Sequence, residues 1–358
     1  MRPAVRAAIT AGSIILVAVV ALAFRSLIAF GTFTDVTPKS AGACVQVTGL
    51  AGAEDIAIDA KLGLAFISAT DRRARALGTP SRADGLYALQ LAGPGNLVRL
   101  SGTPADFHPH GISLYRAPNG DETLMAINHR SDGSSSVDSF DVVQQNGAVK
   151  LRETGSIEGG ELVSPNAIVA VDQNSFYVTN DHTSMTAFGR LLDDLLVLPR
   201  ANVLYFNGSY FRLVANRLNF PAGIALSPDG KYVYVSEAFN RRIDTYVRGE
   251  LSGALDPAGT LEIPSGLDNL RFDERGDLWV AGHPWAMAMA RYRDDAAKPA
   301  PSQVFRVALA DGIPQSATLV YADPGEQIGG ASVAAVAGRR MLIGAPWDDK
   351  ILDCRMAP

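Results

Sequence analysis

Side chains that could bind a metal ion recur at the start of six similar segments of this chain. Each segment begins with two polar or small residues and continues as an alternating apolar run, and the segments start 46 to 62 residues apart. Carboxylate and amide oxygens, with no thiol among them, are the ligands that Ca²⁺ takes in groups of about six to eight. If folding brings the segment starts together, we predict a calcium site; otherwise these side chains only cap loops. The polar residues at these starts are Glu54, Asp55, His110, Asn166, Asp268 and Asn269.

The histidines fall close to the ends of the same predicted strands. His110 opens the second segment, and His129, His182 and His283 each directly follow a second apolar run. An imidazole with an ordinary pKa near 6.5 can take a proton from water at neutral pH. His110 and His129 are therefore candidates for a general base, and the alternative is that they are structural histidines.

The repetition of these segments predicts the fold. A second apolar run follows each first run after a turn, and residues 227–230 have the Pro and Gly placement of such a turn. Period-2 alternation, with Gly, Pro, Asn and Asp between the runs, is typical of antiparallel strands. A repeat of about 50 residues suits a propeller blade, and a propeller brings the innermost strand of every blade to one axis. We predict an all-β, six-bladed β-propeller.

One segment interrupts the β pattern. Residues 183–199 carry apolar side chains mostly at helical spacing, with Asp193 and Asp194 beside the apolar stripe. This spacing predicts one helix over the face of the propeller that holds the site. Two interpretations are open: the helix packs on the blades, or it forms a lid or a membrane contact at the mouth of the site.

The N-terminal segment predicts export. Residues 7–24 are uncharged and largely apolar, with arginines on both sides, which is the pattern of a signal-anchor or of a cleaved signal peptide. The positive-inside rule then puts the body of the protein outside the cytoplasm. It would be membrane-anchored on the periplasmic or extracellular side, or secreted after cleavage. We expect the signal segment at 1–30, a linker at 31–43 and the propeller at 44–358.

Cysteine usage and net charge narrow the class of protein further. The two cysteines, Cys44 and Cys354, lie one at each end of the predicted propeller. In an exported protein we expect them to pair and to lock the closure of the ring; two unrelated buried thiols are the alternative. The net charge of −5 and the lack of a basic tract argue against a nucleic-acid partner.

Several longer stretches carry a family resemblance. They lie at 54–56, 110–113, 128–129, 166–171, 176–182, 227–234, 268–269 and 277–284. In order and spacing they are similar to those of the serum paraoxonase/arylesterase family, over a range from about residue 40 to residue 354. The resemblance implies a six-bladed propeller with calcium in its central tunnel, and a disulfide between the terminal cysteines.

The resemblance also implies roles for particular residues. They fall into four groups: ligands of a catalytic calcium, a dyad that activates water, ligands of a second, structural calcium, and residues that line the substrate pocket. The catalytic calcium would be bound by Glu54, Asn166, Asp268 and Asn269, and the dyad would be His110 and His129. The structural calcium would be bound by Asp55 and the backbone carbonyl of Ile112. The pocket would be lined by Phe220, His182 and His283.

Two positions depart from the family pattern. Ala222 stands where the family has an Asn ligand of the catalytic calcium, so one amide oxygen is absent. Ala167 stands where the family has an Asp of the structural site, so one charge is absent. We expect one catalytic calcium, and Ala167 counts against the second.

The residues and the resemblance together predict a calcium-dependent hydrolase of aryl esters, lactones or both. His110, assisted by His129, would take the proton of the attacking water, and Asp268 or Glu54 is the alternative base. The expected partners are a small-molecule ester or lactone and a membrane, contacted through the N-terminal segment and residues 183–199. Two other functions stay open: a related propeller hydrolase of sugar lactones or organophosphates, and a metal-poor propeller that binds a ligand without catalysis.

Overall fold

The strands form a six-bladed β-propeller, which confirms the predicted fold. The computed structural model describes residues 3–79, 81, 83–93, 95–145 and 148–357, with only the backbone described at 3–9. In these residues, six four-stranded antiparallel sheets are found. From the inner to the outer strand, blade 1 consists of β2–β5 (Ala53–Asp59, Leu64–Ala69, Gly85–Gln90, Leu97–Arg99) and blade 2 of β6–β9 (Pro109–Arg116, Glu122–His129, Ser135–Gln145, Ala148–Glu158). Blade 3 consists of β10–β13 (Pro165–Ala170, Phe176–Asn180, Ala201–Phe206, Phe211–Leu218) and blade 4 of β14–β17 (Pro221–Leu226, Tyr232–Glu237, Arg242–Arg248, Leu255–Glu262). Blade 5 consists of β18–β21 (Leu267–Phe272, Leu278–Gly282, Ser302–Ala310, Ile313–Asp323).

The sixth blade joins the two ends of the chain. Its inner strands are β22 (Val333–Ala337), β23 (Arg340–Gly344) and β24 (Lys350–Met356), and its outermost strand is β1 (Gly42–Thr48). Cys44 lies opposite Cys354 in the β1–β24 ladder, and the two form a disulfide bond. The predicted closure of the ring by this pair is confirmed.

The apolar core lies between the blades rather than on the axis. Each inner strand contacts the inner strand of the next blade, and β22 contacts β2, so the ring is complete. Buried apolar side chains fill each gap between blades, such as Ile56 with Leu342, and Tyr177 with Ile224. Because burial between blades supplies the hydrophobic stabilisation, polar side chains can be placed along the axis.

Four helices accompany the blades in the described part of the chain: α1 (Pro3–Ala29), α2 (Arg72–Ala76), α3 (Ala187–Leu195) and α4 (Ala286–Asp294). The last three each connect the second strand of a blade to its third, so they lie on one face of the propeller. The predicted helix within 183–199 is therefore confirmed as α3, with a shorter extent. Thr186 caps its first turn by accepting a hydrogen bond from Gly189, and Pro199 follows its end.

Helix α1 is apolar and ends against the same face. Its segment Thr10–Ala29 is long and apolar enough to cross a membrane, with a mean hydropathy of 2.3, and it is not buried. Near its C-terminal end, Ser26 donates a hydrogen bond to the carbonyl of Leu195, the last residue of α3. Arg25 donates to the carbonyl of Val197, two residues further on. The C-terminal end of α1 is thus hydrogen-bonded to the face of the propeller that carries the other helices.

Candidate active site

A pairing irregularity at the start of five inner strands aims polar side chains at the axis. In each case the ladder shifts register before the regular strand pairing begins. Such bulges are common next to active sites because they redirect a side chain. After each irregularity, one Ile or Leu of the inner strand pairs regularly with the second strand. The residues two positions before that Ile or Leu are Glu54, His110, Asn166, Ala222 and Asp268. Residues from five blades thus occupy equivalent positions around one axis.

Four of these five residues line a single cavity of about 310 Å³ on the helix-bearing face. Of the residues predicted for the pocket, Phe220 and His283 line it as well. His129, His182 and Asn269 contact lining residues instead of lining the cavity themselves, and Asp55 and Ile112 do not line it. The polar part of the lining consists of Glu54, Arg72, His110, Asn166, Asp181, Asp268, His283 and Arg293, and the larger apolar side chains are Phe220, Phe239, Met289 and Trp347.

Three buried oxygen atoms at this cavity have no hydrogen-bond partner. They are Glu54 Oε2, Asn166 Oδ1 and Asp268 Oδ1. Buried polar atoms are rarely left unsatisfied in folded proteins, and two carboxylates with an amide are suitable ligands for Ca²⁺. Among the described residues, no group of three or more His, Cys, Asp or Glu is arranged to hold a metal. Those four residue types include no amide, and one of the three oxygens here belongs to an amide, Asn166. The three oxygens together are of the kinds that bind a calcium ion.

The carboxylates at the cavity are harder to ionise than ordinary carboxylates. Burial, followed by the charge of Asp55, raises the pKa of Glu54 to about 8, although Arg72 opposes this shift. Burial and the charges of Glu54 and Asp55 raise the pKa of Asp268 well above its usual range. A cation placed among these groups would favour their ionised forms.

Two hydrogen bonds orient the residues predicted as calcium ligands. Asn269 Nδ2 donates to Glu54 Oε1 at 2.7 Å, which leaves Glu54 Oε2 for the cavity. Asn166 Nδ2 donates to Asp181 Oδ2 at 3.0 Å, which fixes the amide so that its oxygen is the atom left without a partner. Asn269 thus contacts the predicted ligand Glu54 directly.

His110 is held as a neutral imidazole. Arg72 Nη2 lies 3.1 Å from His110 Nδ1, and a guanidinium group can only donate, so Nδ1 accepts and Nε2 carries the hydrogen. His110 Nε2 lies 3.8 Å from Glu54 Oε1. Burial, followed by the charge of Arg72, lowers the pKa of His110 well below its ordinary value. In this state His110 is a hydrogen-bond donor.

His129 lies beside His110, as the sequence predicts, but no hydrogen bond joins the two rings in the described structure. Their centroids are 5.0 Å apart and the rings meet edge to face. His129 Nδ1 lies 3.1 Å from Ser135 Oγ. Burial, followed by the charge of Arg72, lowers the pKa of His129 to about 4. His129 therefore supports the ring of His110 as a neutral side chain.

His182 links helix α3 to the site. Its Nδ1 lies 2.9 Å from Asp181 Oδ1 and its Nε2 lies 2.8 Å from Asp194 Oδ1 on α3. Burial alone would lower the pKa of His182, but the bonds to the two aspartates raise it to about 9. Its ring meets Phe220, which lines the cavity, edge to face at 5.2 Å. His182 is therefore a charged clamp behind the pocket wall.

His283 lies next to Asp268 in the cavity lining. Its buried Nδ1 has no hydrogen-bond partner and is 3.8 Å from Asp268 Oδ2. Burial lowers the pKa of His283 to about 4, so the ring is neutral near pH 7.

The residues expected at a second calcium contact an arginine instead. Arg271 donates to Asp55 Oδ2 and, at 2.9 Å, to the carbonyl of Ile112. Ala167 is buried and apolar. Asn219, the polar residue close to Ala222, hydrogen-bonds to Asn240 and does not line the cavity.

Several site residues could have been found in the sequence. Arg271 lies two positions after Asn269 on an inner strand, so period-2 alternation predicts that both lie on the same face of that strand. Helix α2, which supplies Arg72, begins after Asp71, whose side chain accepts a hydrogen bond from Ala74 as an N-cap residue does. Helix α4 consists mostly of Ala, Met and Arg, which are strong helix formers.

Comparison with known proteins agrees with the geometry. A family model described as arylesterase matches residues 89–356. The chain belongs to the arylesterase family. Among the members, serum paraoxonase/arylesterase 1 of Rattus norvegicus is 33% identical over 326 residues, covering 87% of this chain and 88% of that protein. The Homo sapiens protein of the same name is 32% identical over 341 residues, covering 90% and 91%.

Solved structures share the propeller fold at lower identity. A gluconolactonase from Xanthomonas campestris has a TM-score of 0.51 and 18% identity, covering 90% of this chain and 95% of that one. A luciferin-regenerating enzyme has a TM-score of 0.53 and 11% identity, covering 87% and 94%. These solved structures resemble the chain in fold only, whereas the arylesterase relatives also resemble it in amino-acid sequence.

Proposed function

We propose that this arylesterase-family chain is a calcium-dependent hydrolase of carboxylic esters, with aryl esters and lactones as its substrates. The observation that carries the proposal is the set of three buried, unpartnered oxygens on Glu54, Asn166 and Asp268 at one cavity. These residues would hold the ion, together with Asn269, which contacts Glu54. Calcium bound there supplies a Lewis acid that polarises the ester carbonyl and stabilises the charge developing on its oxygen.

The proton acceptor for the attacking water follows from the tautomer of His110. Because Arg72 donates to Nδ1, the neutral ring presents an N–H group and has no free lone pair. Asp268 is a carboxylate at the same cavity: its Oδ1 would contact the ion, and its second oxygen, Oδ2, which lies 3.8 Å from His283 Nδ1, would accept the proton. We therefore favour the alternative base, Asp268, over His110. In this role His110 orients substrate or water through its Nε2–H, and His283 lies beside the base.

The cavity lining favours an apolar substrate. Phe220, Phe239, Met289 and Trp347 provide large apolar contacts beside the polar lining residues, and sites for small organic molecules usually combine apolar side chains with placed polar groups. An aryl ester or a lipophilic lactone matches these side chains better than a sugar lactone, whose hydroxyl groups would need further hydrogen-bond partners.

The outward face of the helices supports the predicted membrane contact. The apolar side chains Met185, Phe188, Leu191 and Leu195 on and before α3 are 44% to 77% exposed, while Asp193 is buried. This arrangement favours a membrane-contacting helix over one that buries its apolar stripe on the blades. We propose that residues 1–30 anchor the exported propeller of residues 44–358, with 31–43 as the connecting segment.

The test is hydrolysis of phenyl acetate and of an aliphatic lactone by the purified protein, before and after treatment with EDTA and after calcium is returned. Asp268→Asn should lower the turnover of both substrates at least 100-fold, on the order of the loss seen when a charge-stabilising group is removed. The matched control is Asp256→Asn, at an exposed position on β17, which should leave turnover unchanged. Hydrolysis that is indifferent to EDTA would refute the proposal.

The choice of base has its own test. His110→Gln retains a hydrogen-bond donor, so it should keep a measurable rate, whereas Asp268→Asn should lose the acidic limb of the pH–rate profile, in which the rate rises as the base ionises. If His110→Gln instead abolishes that limb, His110 is the base. A panel that adds sugar lactones and organophosphate esters would show whether the substrate class is the one proposed here.

A further inference from the structure

We infer that the guanidinium group of Arg271 is an internal counter-cation on the propeller axis, in the place where the family resemblance implies a second calcium ion. Arg271 lies on β18 of blade 5 and reaches across the axis to blades 1 and 2. The inference concerns the stability of the propeller and does not depend on the proposed hydrolase activity.

The contacts of Arg271 are those of a cation surrounded by oxygen atoms. Nε donates to the carbonyl of Ile56 at 2.8 Å, Nη1 to the carbonyl of Leu270 at 3.0 Å and Nη2 to the carbonyl of Ile112 at 2.9 Å. Nη2 also donates to Asp55 Oδ2. Four oxygens from three inner strands therefore converge on one largely buried charged group, whose side chain is 15% exposed.

Three of the four lone-pair positions of the Asp55 carboxylate are occupied in this arrangement. Its Oδ1 accepts from the backbone N–H of Ile56 at 2.8 Å, and its Oδ2 accepts from the N–H of Ile112 at 2.9 Å as well as from Arg271. The carbonyl of Ile112 is bound to the same arginine. Ala167 offers no side-chain oxygen. The residues present do not fit a second calcium ion, and they are satisfied by the arginine.

A buried charge that loses its partner destabilises a protein strongly, whereas removing both partners costs much less. Arg271→Met keeps an unbranched apolar side chain but removes the charge, so in EDTA we expect Tm to fall by about 5–10 °C. Arg306→Met is the matched control, because Arg306 lies on β20 of the same blade and pairs with Asp277 at a largely exposed position. Its Tm should change by no more than about 2 °C.

The double variant Arg271→Met/Asp55→Asn decides whether the pair is the cause. It should regain at least half of the Tm lost in Arg271→Met, since no unpaired carboxylate is left. If Arg271→Met does not fold, Asp55→Asn alone should lower Tm and the double variant should be more stable than it. A double variant no more stable than either single variant would overturn the inference.

Calcium counting provides an independent readout. Equilibrium dialysis should give at most one bound calcium per chain, with the same number for wild type and for Asp55→Asn. Loss of one bound ion on Asp55→Asn would overturn the inference, because Asp55 would then be a metal ligand. The Tm comparison is made in EDTA, so a failure of the proposed function, read from Asp268→Asn and hydrolysis, is distinguishable from a failure here.

Discussion

Removing the charged clamp at His182 should destabilise the protein in a strongly pH-dependent way. His182 lies between Asp181 and Asp194 with both ring nitrogens hydrogen-bonded, and these contacts raise its pKa to about 9. The perturbation is His182→Gln, which can hydrogen-bond but cannot carry a charge. We expect the loss of stability in this variant to be largest in acid and to vanish as the medium becomes alkaline.

The magnitude follows from the shift in pKa. The folded pKa of His182 is about 9 against an ordinary value of 6.5, and each pKa unit corresponds to about 1.4 kcal/mol. A raised folded pKa stabilises the protein fully below the unfolded pKa, and the contribution disappears as the pH rises through the folded pKa. The charge of His182 is therefore worth roughly 3 kcal/mol at pH 5, about 2.5 kcal/mol at pH 7 and under about 0.5 kcal/mol at pH 9.

The assay is urea unfolding followed by tryptophan fluorescence, for wild type and His182→Gln, at several values of pH from 6 to 9.5. The difference in unfolding free energy should shrink by about 2 kcal/mol between pH 7 and pH 9. Groups that do not contact His182 cancel in the difference, whereas the pKa of Asp181, which burial would raise and which its hydrogen bond to His182 lowers, shifts in the variant. Asp194→Asn, which removes one partner, should move this decline to lower pH. A difference that stays constant over the whole range would show that His182 is not a charged clamp.

Two further predictions concern the metal site and the closure of the ring. Ala222→Asn restores an amide oxygen at the position equivalent to Asn166. Calcium should then bind about fivefold more tightly, as expected if one ligand contributes roughly 1 kcal/mol. An unchanged or weaker affinity in a calcium titration would contradict this prediction. Cys44→Ser with Cys354→Ser opens a loop of nearly the whole propeller, so unfolding in urea should cost up to about 5 kcal/mol less, and dithiothreitol should have the same effect on wild type but none on the variant.

The architecture could be predicted because the repeat carries it. The alternating runs, the turn residues and the 46–62-residue spacing determine six blades before any side-chain contact is known. The same register placed Glu54, His110, Asn166 and Asp268 around one cavity, since equivalent strand starts must meet near the axis. Helix α3 was predicted from its apolar spacing within residues 183–199, although its extent was overestimated at both ends, since the helix runs from Ala187 to Leu195.

The protonation and pairing of the site could not be predicted in the same way. Arg72 comes from a five-residue helix too short for a periodic pattern, yet it sets the tautomer of His110. The clamp at His182 needs Asp194, which is 12 residues away and meets it only because α3 folds back. The contact of Arg271 with Asp55 spans 216 residues. Sequence periodicity identifies which strands meet, and it carries no information on which charges pair.

The irregular strand starts have a consequence for how this scaffold can change its chemistry. Five blades present one residue each at the same step of the ladder, and in this chain those residues are an acid, an imidazole, an amide, a methyl group and a second acid. The backbone of each residue is fixed by its own blade, but Glu54 also contacts Asn269 of blade 5 and His110 contacts Arg72 of blade 1. A single substitution therefore disturbs the other groups least at a position without such a contact. Position 222, where the methyl group lies, is the least specialised of the five and is the natural starting point for redesigning selectivity.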